Sequence, residues 1–88
     1  RSFQAYPQKL VNVRVMDRSR RKNWSACNAL TEAIASAEQS MGETGRVLVR
    51  ASGTEPVLRV MVEAEQSDAV EHWTGHLAAV AEDHLNAA

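Results

Sequence analysis

Two arginines bracket a run of small, hydroxyl-bearing residues in Arg50-Ala51-Ser52-Gly53-Thr54-Glu55-Pro56-Val57-Leu58-Arg59. Fixed guanidinium charges, two hydroxyls and a backbone left bare at Gly53 are the groups that suit a phosphate. A hairpin with a small polar turn has the same composition, so on chemistry alone both readings stand. Glu55 is discordant in an anion cradle. It is expected to turn away from the anion or to pair with an arginine. Pro56 stiffens the exit of the loop, which lowers the ordering cost of binding.

The other reactive residue types are weaker candidates. Arg18, Arg20, Arg21 and Lys22 form a basic stretch within Asp17–Asn23. It reads as a solvated loop in preference to an anion patch, because short charge runs usually stay wet. His72 and His76 have the i, i+4 spacing of paired metal ligands, but no acidic third ligand accompanies them and His84 lies too far round. Cys27, the single cysteine, has no matched His or Asp and reads as a small structural thiol. No internal disulfide is available, which fits a reducing, cytoplasmic setting. Trp24 and Met41 read as packing residues. The chain has no GxGxxG, no P-loop and no nucleophile elbow.

The 88 residues allow one domain with a modest core, and 44% apolar with 24% charged residues is the composition of an ordinary globular domain. A net charge of -1 argues against nucleic acid as a partner, since no overall positive field would attract a polyanion. No apolar run reaches membrane-spanning length, and the start has no signal-peptide pattern. The first residue is Arg1, so the chain is expected to be part of something longer.

Residues 1–8, with Tyr6 and Pro7, have no periodicity and are expected to be a linker from a preceding domain; residues 9–88 then form the domain itself. In Lys9–Met16, Val11, Val13 and Val15 alternate with Asn12 and Arg14, as in a half-buried strand. Trp24–Met41 repeats Leu30, Ile34, Ala37 and Met41 at helical spacing, with Asn28 or Ser25 as cap and Gly42 as stop. Arg46–Ala51 is a second strand with Val47, Val49 and Ala51 on one face. A third strand follows the loop, with Leu58, Val60, Val62 and Ala64 on its apolar face. That parity sets Arg50 and Arg59 on the opposite face of their strands. Ser67 is expected to cap a last helix with Asp68 and Glu71 in its first turn. Val70, Trp73, Leu77 and Val80 form its stripe, with Ala81 and Leu85 alongside, and residues 86–88 are expected to fray. The order β-α-β-β-α predicts a two-layer α+β sandwich with a small mixed sheet and two helices. In a hairpin the two arginines would meet at the loop, and two close cations repel unless an anion lies between them.

The stretch Arg50–Pro56, continuing into Val57-Leu58-Arg59-Val60-Met61-Val62-Glu63, resembles the C-terminal phosphate-binding signature of the α-D-phosphohexomutases. Tyr6-Pro7-Gln8 and Leu10-Val11-Asn12-Val13 resemble the start of that family's fourth and last domain, which has a TBP-like fold. The Ser-Gly-Thr-Glu-Pro wording is most similar to the bacterial phosphoglucosamine mutase branch. Phosphomannomutase/phosphoglucomutase members often carry Asn where this chain has Gly53. The resemblance implies a parent isomerase, an intramolecular phosphotransferase that interconverts glucosamine 6-phosphate and glucosamine 1-phosphate for cell-wall (peptidoglycan) amino sugars. It works through a phosphoserine and a bisphosphorylated intermediate, with Mg²⁺. It further implies that this domain holds no nucleophile and no metal, and grips the phosphate that is not reacting. Arg50 would make the main contact, Ser52 and Thr54 would donate hydrogen bonds, Gly53 would admit its N–H, and Arg59 would add a second cation. The phosphoserine and the Mg²⁺ ligands would lie upstream, so the chain alone is expected to be inactive. A C-terminal domain of a phosphomannomutase/phosphoglucomutase, or a stand-alone anion-binding module, is the alternative.

Overall fold

The computed structural model describes residues 6–86. Three strands, β1 (Gln8–Arg14), β2 (Arg46–Ala51) and β3 (Val57–Glu63), form one sheet in the order β1-β3-β2. Both pairings are antiparallel, which corrects the expected mixed sheet. The physical reason is that β1 and β2 run the same way but never touch. The connection between them leaves a gap, and β3, returning from a tight hairpin with β2, fills it.

Three helices accompany the sheet: α1 (Arg18–Lys22), α2 (Asn28–Met41) and α3 (Ser67–Leu85). The last two pack on one face, against the side where Val13, Val47, Leu58, Val60 and Val62 are buried. Leu30, Ala33 and Ala37 of α2 and Leu77, Ala81 and Leu85 of α3 close the same core. The strand parity read from the sequence therefore holds in all three strands. The helix stripes shift slightly: Thr74 is buried and Trp73 and Val80 are only half-buried. Thr74 is admitted to the core because its hydroxyl donates to the Val70 carbonyl one turn back.

The caps differ from expectation. Trp24–Ala26 is a separate 3₁₀ turn, so α2 starts after Cys27, and neither Asn28 nor Ser25 caps it. Gln66, not Ser67, precedes α3, and no side chain caps that end. Asp68 does lie in the first turn, but Glu71 reaches out to Lys9 of β1 at 2.8 Å. Asp17–Asn23, expected as a loop, contains α1, which Asp17 caps by accepting the Arg20 N–H at 3.0 Å. β1 begins at Gln8, one residue before the expected boundary, and the Pro7 carbonyl accepts the Ala64 N–H. Residues 1–5 and 87–88 lie outside the described residues, so the fraying expected at the end is addressed only at Asn86. There the side-chain amide donates to the Arg14 carbonyl at 2.8 Å.

The turn from α2 into β2 depends on two glycines. Gly42 ends the helix at φ 69°, ψ -150°, a region only glycine occupies without strain. A Cβ on Gly45 would overlap the Met41 side chain, which packs on the core. Gly42→Ala and Gly45→Ala are each expected to lower unfolding free energy by about 1–3 kcal/mol, read as an earlier urea midpoint at unchanged m. An unchanged midpoint for Gly45→Ala would mean that the α2–β2 turn is not packed as described.

Candidate functional site, the loop between β2 and β3

Side-chain parity decides where the arginines go. Residues alternate across a strand, so the half-burial of Val49 and Ala51 on the helix side sends Arg50 to the bare side of the sheet. Arg59 follows from its buried neighbours Leu58 and Val60 in the same way. The register then makes Arg50 and Arg59 direct cross-strand partners, with Asn12 of β1 opposite Arg59 on its other side. Directly opposed side chains have Cβ atoms roughly 4.5–5.5 Å apart, and like charges there are destabilising.

The loop is anchored at both ends. The Ser52 N–H donates to the Val57 carbonyl at 3.0 Å, closing the hairpin, and the Val57 N–H donates to the Glu55 carbonyl at 2.8 Å. β1 supports it from the side, where the Val15 N–H donates to the Pro56 carbonyl at 2.9 Å. Inside the loop, Ser52 Oγ accepts the N–H groups of Glu55 at 3.2 Å and Thr54 at 3.4 Å. The Ser52 proton remains available for donation, and so do the Gly53 N–H and the Thr54 hydroxyl. Gly53 does not have a positive φ, and a Cβ there would meet nothing within 4 Å. Neither backbone geometry nor packing within this chain therefore calls for glycine at this position.

Glu55 Oε1 lies 3.7 Å from Arg59 Nη2, an exposed i, i+4 contact. It takes the second of the two orientations expected for it, pairing with an arginine. Among the described residues Arg50 has no acidic partner. One guanidinium of the pair is thus half-compensated and the other bare. Arg50, Ser52, Gly53, Thr54 and Arg59 all line one open concavity of about 540 Å³, whose floor runs onto Leu10, Leu48 and Met61 of the bare sheet face. The sequence-derived residues are therefore brought together on one side of the hairpin.

A second concavity, of about 550 Å³, opens between the same loop and α1. Arg18, Arg21 and Lys22 line it together with Ser52–Pro56. This proximity escapes sequence reasoning because α1 has no buried residue and hence no apolar periodicity. The i, i+3, i+4 spacing of the three cations was the one available signal. The histidines assemble no centre. His72 and His76 stack at 6.3 Å with Trp73 edge-on to both. No group of three or more His, Cys, Asp or Glu able to hold a metal occurs among the described residues.

Residues 10–80 match the family described as phosphoglucomutase/phosphomannomutase, C-terminal domain. Phosphoglucosamine mutase of Synechococcus sp. (strain CC9605) is 91% identical over the whole chain, and that of Parasynechococcus marenigrum (strain WH8102) is 70% identical. The chain spans 19% of the length of each of these relatives. Among solved structures, Aspergillus fumigatus N-acetylphosphoglucosamine mutase in complex with GlcNAc-6P and magnesium is similar with a TM-score of 0.73. Its identity is 30%, over 90% of this chain and 16% of that one. The same fungal enzyme in complex with glucose 1,6-bisphosphate gives a TM-score of 0.74 at 31% identity, over 89% and 15%. Since the family match runs from β1 through the loop and into α3, this chain belongs to the phosphoglucomutase/phosphomannomutase C-terminal domain family.

Proposed function

We propose that this chain is the phosphate-gripping domain of a phosphoglucosamine mutase, which interconverts glucosamine 6-phosphate and glucosamine 1-phosphate. The observation that carries this reading is the cross-strand pairing of Arg50 with Arg59 beside Ser52-Gly53-Thr54. An anion seated between the two guanidiniums replaces their repulsion with charge-assisted hydrogen bonds. The Ser52 and Thr54 hydroxyls and the Gly53 N–H supply further donors on the same side. A side chain at position 53 would project into open space at the mouth of the site, where an approaching phosphate needs room. The 91% and 70% identities to two phosphoglucosamine mutases favour glucosamine over other hexoses.

In this role the loop breaks no bond. It holds the phosphate that is not reacting and so positions the sugar for transfer at its other end. Positioning and charge stabilisation are most of what phosphoryl transfer asks of a protein. The nucleophile, a phosphoserine, and the bisphosphorylated intermediate that it generates belong to domains preceding this one, reached through residues 1–8. Magnesium accompanies the sugar phosphate in the fungal structure. The loop does not suit it: its two flanking guanidiniums repel a divalent cation, and its one carboxylate, Glu55, is exposed and turned to Arg59. Mg²⁺ is accordingly assigned to the preceding domains, and no step is routed through it here. No helix among the described residues is long and apolar enough to cross a membrane. The phosphorylated substrates and the free thiol of Cys27 support a cytoplasmic setting.

Arg50→Ala in the full-length enzyme is expected to lower kcat/KM by about 30- to 1,000-fold, the loss of about 2–4 kcal/mol from one charge-assisted contact to a desolvated phosphate. Steady-state kinetics near the parent values would overturn the assignment. Glu55→Gln removes the one carboxylate near the bound dianion. It is expected to tighten binding of a substrate phosphate by roughly two- to fivefold at low salt, with the gain fading as ionic strength rises. Calorimetric titration at two salt concentrations measures this. Weaker binding would show instead that Glu55 serves by holding Arg59 in place.

A further inference from the structure

Four of the chain's ten Lys and Arg residues fall within the five residues of α1. Such a segment is self-repelling, and with no buried residue it gains nothing from the core. It is nevertheless fastened to the body. The Arg21 guanidinium donates to the Val15 carbonyl at 2.7 Å, and that of Arg20 donates to the Leu85 carbonyl at 3.4 Å. Asp17 caps the helix and lies 3.9 Å from Arg20. These bonds commit Arg20 and Asp17 to structure and leave Arg18, Arg21 and Lys22 on one side of the turn, at i, i+3 and i+4. That side faces the loop. Together with Met16 and Pro56, the three cations line the second concavity against Ser52, Gly53 and Thr54. The one carboxylate lining it is Glu55, whose oxygen is drawn to Arg59. Three positive charges thus converge on a hydroxyl-bearing loop with one distracted negative charge.

We propose that this concavity, which α1 lines and Arg50 and Arg59 do not, is a second phosphate-binding subsite. Its ligand is a phosphate dianion, either free inorganic phosphate or a phosphate of a bisphosphorylated sugar. Arg21, held by the Val15 carbonyl, is the preorganised contact. Arg18 and Lys22 supply the remaining charge. This site draws its cations from a different element than the open-face cradle does, so the two readings can fail separately.

The test is a nitrogen–proton correlation titration of the chain, following backbone amides and arginine Nε–H signals. One arm uses inorganic phosphate and the other glucose 1,6-bisphosphate, both at ionic strength held constant with sodium chloride. Saturable shifts are expected at Arg18, Arg21 and Lys22 as a set distinct from those at Arg50 and Arg59. The double variant Arg18→Gln, Lys22→Gln alters two exposed residues whose side chains have no hydrogen-bond partner among the described residues. It is expected to weaken the first set at least about tenfold and to leave the Kd of the second within about twofold. Saturation by inorganic phosphate identifies free phosphate as a sufficient ligand, whereas saturation by the bisphosphate alone identifies the sugar. Shifts at residues 18–22 that grow without saturation, or that survive the double variant at the same Kd, overturn the proposal. A saturable response at residues 18–22 with none at Arg50 or Arg59 supports this site and counts against the open-face cradle.

Discussion

The antiparallel register that sets Arg50 against Arg59 is the constraint on which the rest depends. It is costly locally, because two guanidiniums stand side by side on a small sheet. Nothing about the arginines themselves holds them there. The register is maintained from the other face, where Val47 pairs with Val62 and Val49 with Val60 over the helices. A slip of one residue would turn every one of those side chains to solvent. Apolar burial on one face therefore enforces an unfavourable charge pair on the other, which the anion proposed to bind there would relieve.

The same division governs the loop. Ser52–Pro56 contributes little to the core, yet its ends are tied by backbone hydrogen bonds to Val57 and Val15. Part of its own polar capacity is used internally, with Ser52 Oγ taking two amides, so the loop keeps its shape without a ligand. Exposed ion pairs such as Lys9–Glu71 and Arg59–Glu55 add little to stability. Their interest lies in placement: Glu55 partly neutralises one arginine and leaves the other open.

α1 shows how charge can be arranged without a core. Its helical turn is held by the Asp17 cap and by guanidinium–carbonyl bonds from Arg21 to Val15 and from Arg20 to Leu85. The result sets a basic turn beside the loop, so that cations flank Ser52–Thr54 from both the sheet and the helix side. The loop therefore lines two concavities, each with its own set of cations.

Much of this was legible in the linear chain. Period-two alternation in Val11–Val15, Val47–Ala51 and Leu58–Ala64 named the buried face of each strand, because side-chain direction in a strand is fixed by parity alone. The same parity put Arg50 and Arg59 on the other face. What the chain could not disclose is what depends on contacts between distant residues. α2 and α3 start after Cys27 and Gln66, and the nearby Ser and Asn side chains cap neither. The strand order β1-β3-β2, and with it a wholly antiparallel sheet, came from β3 filling the gap between two strands that local pattern cannot order. The position of Arg18, Arg21 and Lys22 against the loop rests on Val15 and Leu85 carbonyls that lie 6 and 65 residues from the arginines they hold. Local periodicity reports only which way a side chain faces, and only the folded chain decides what it faces.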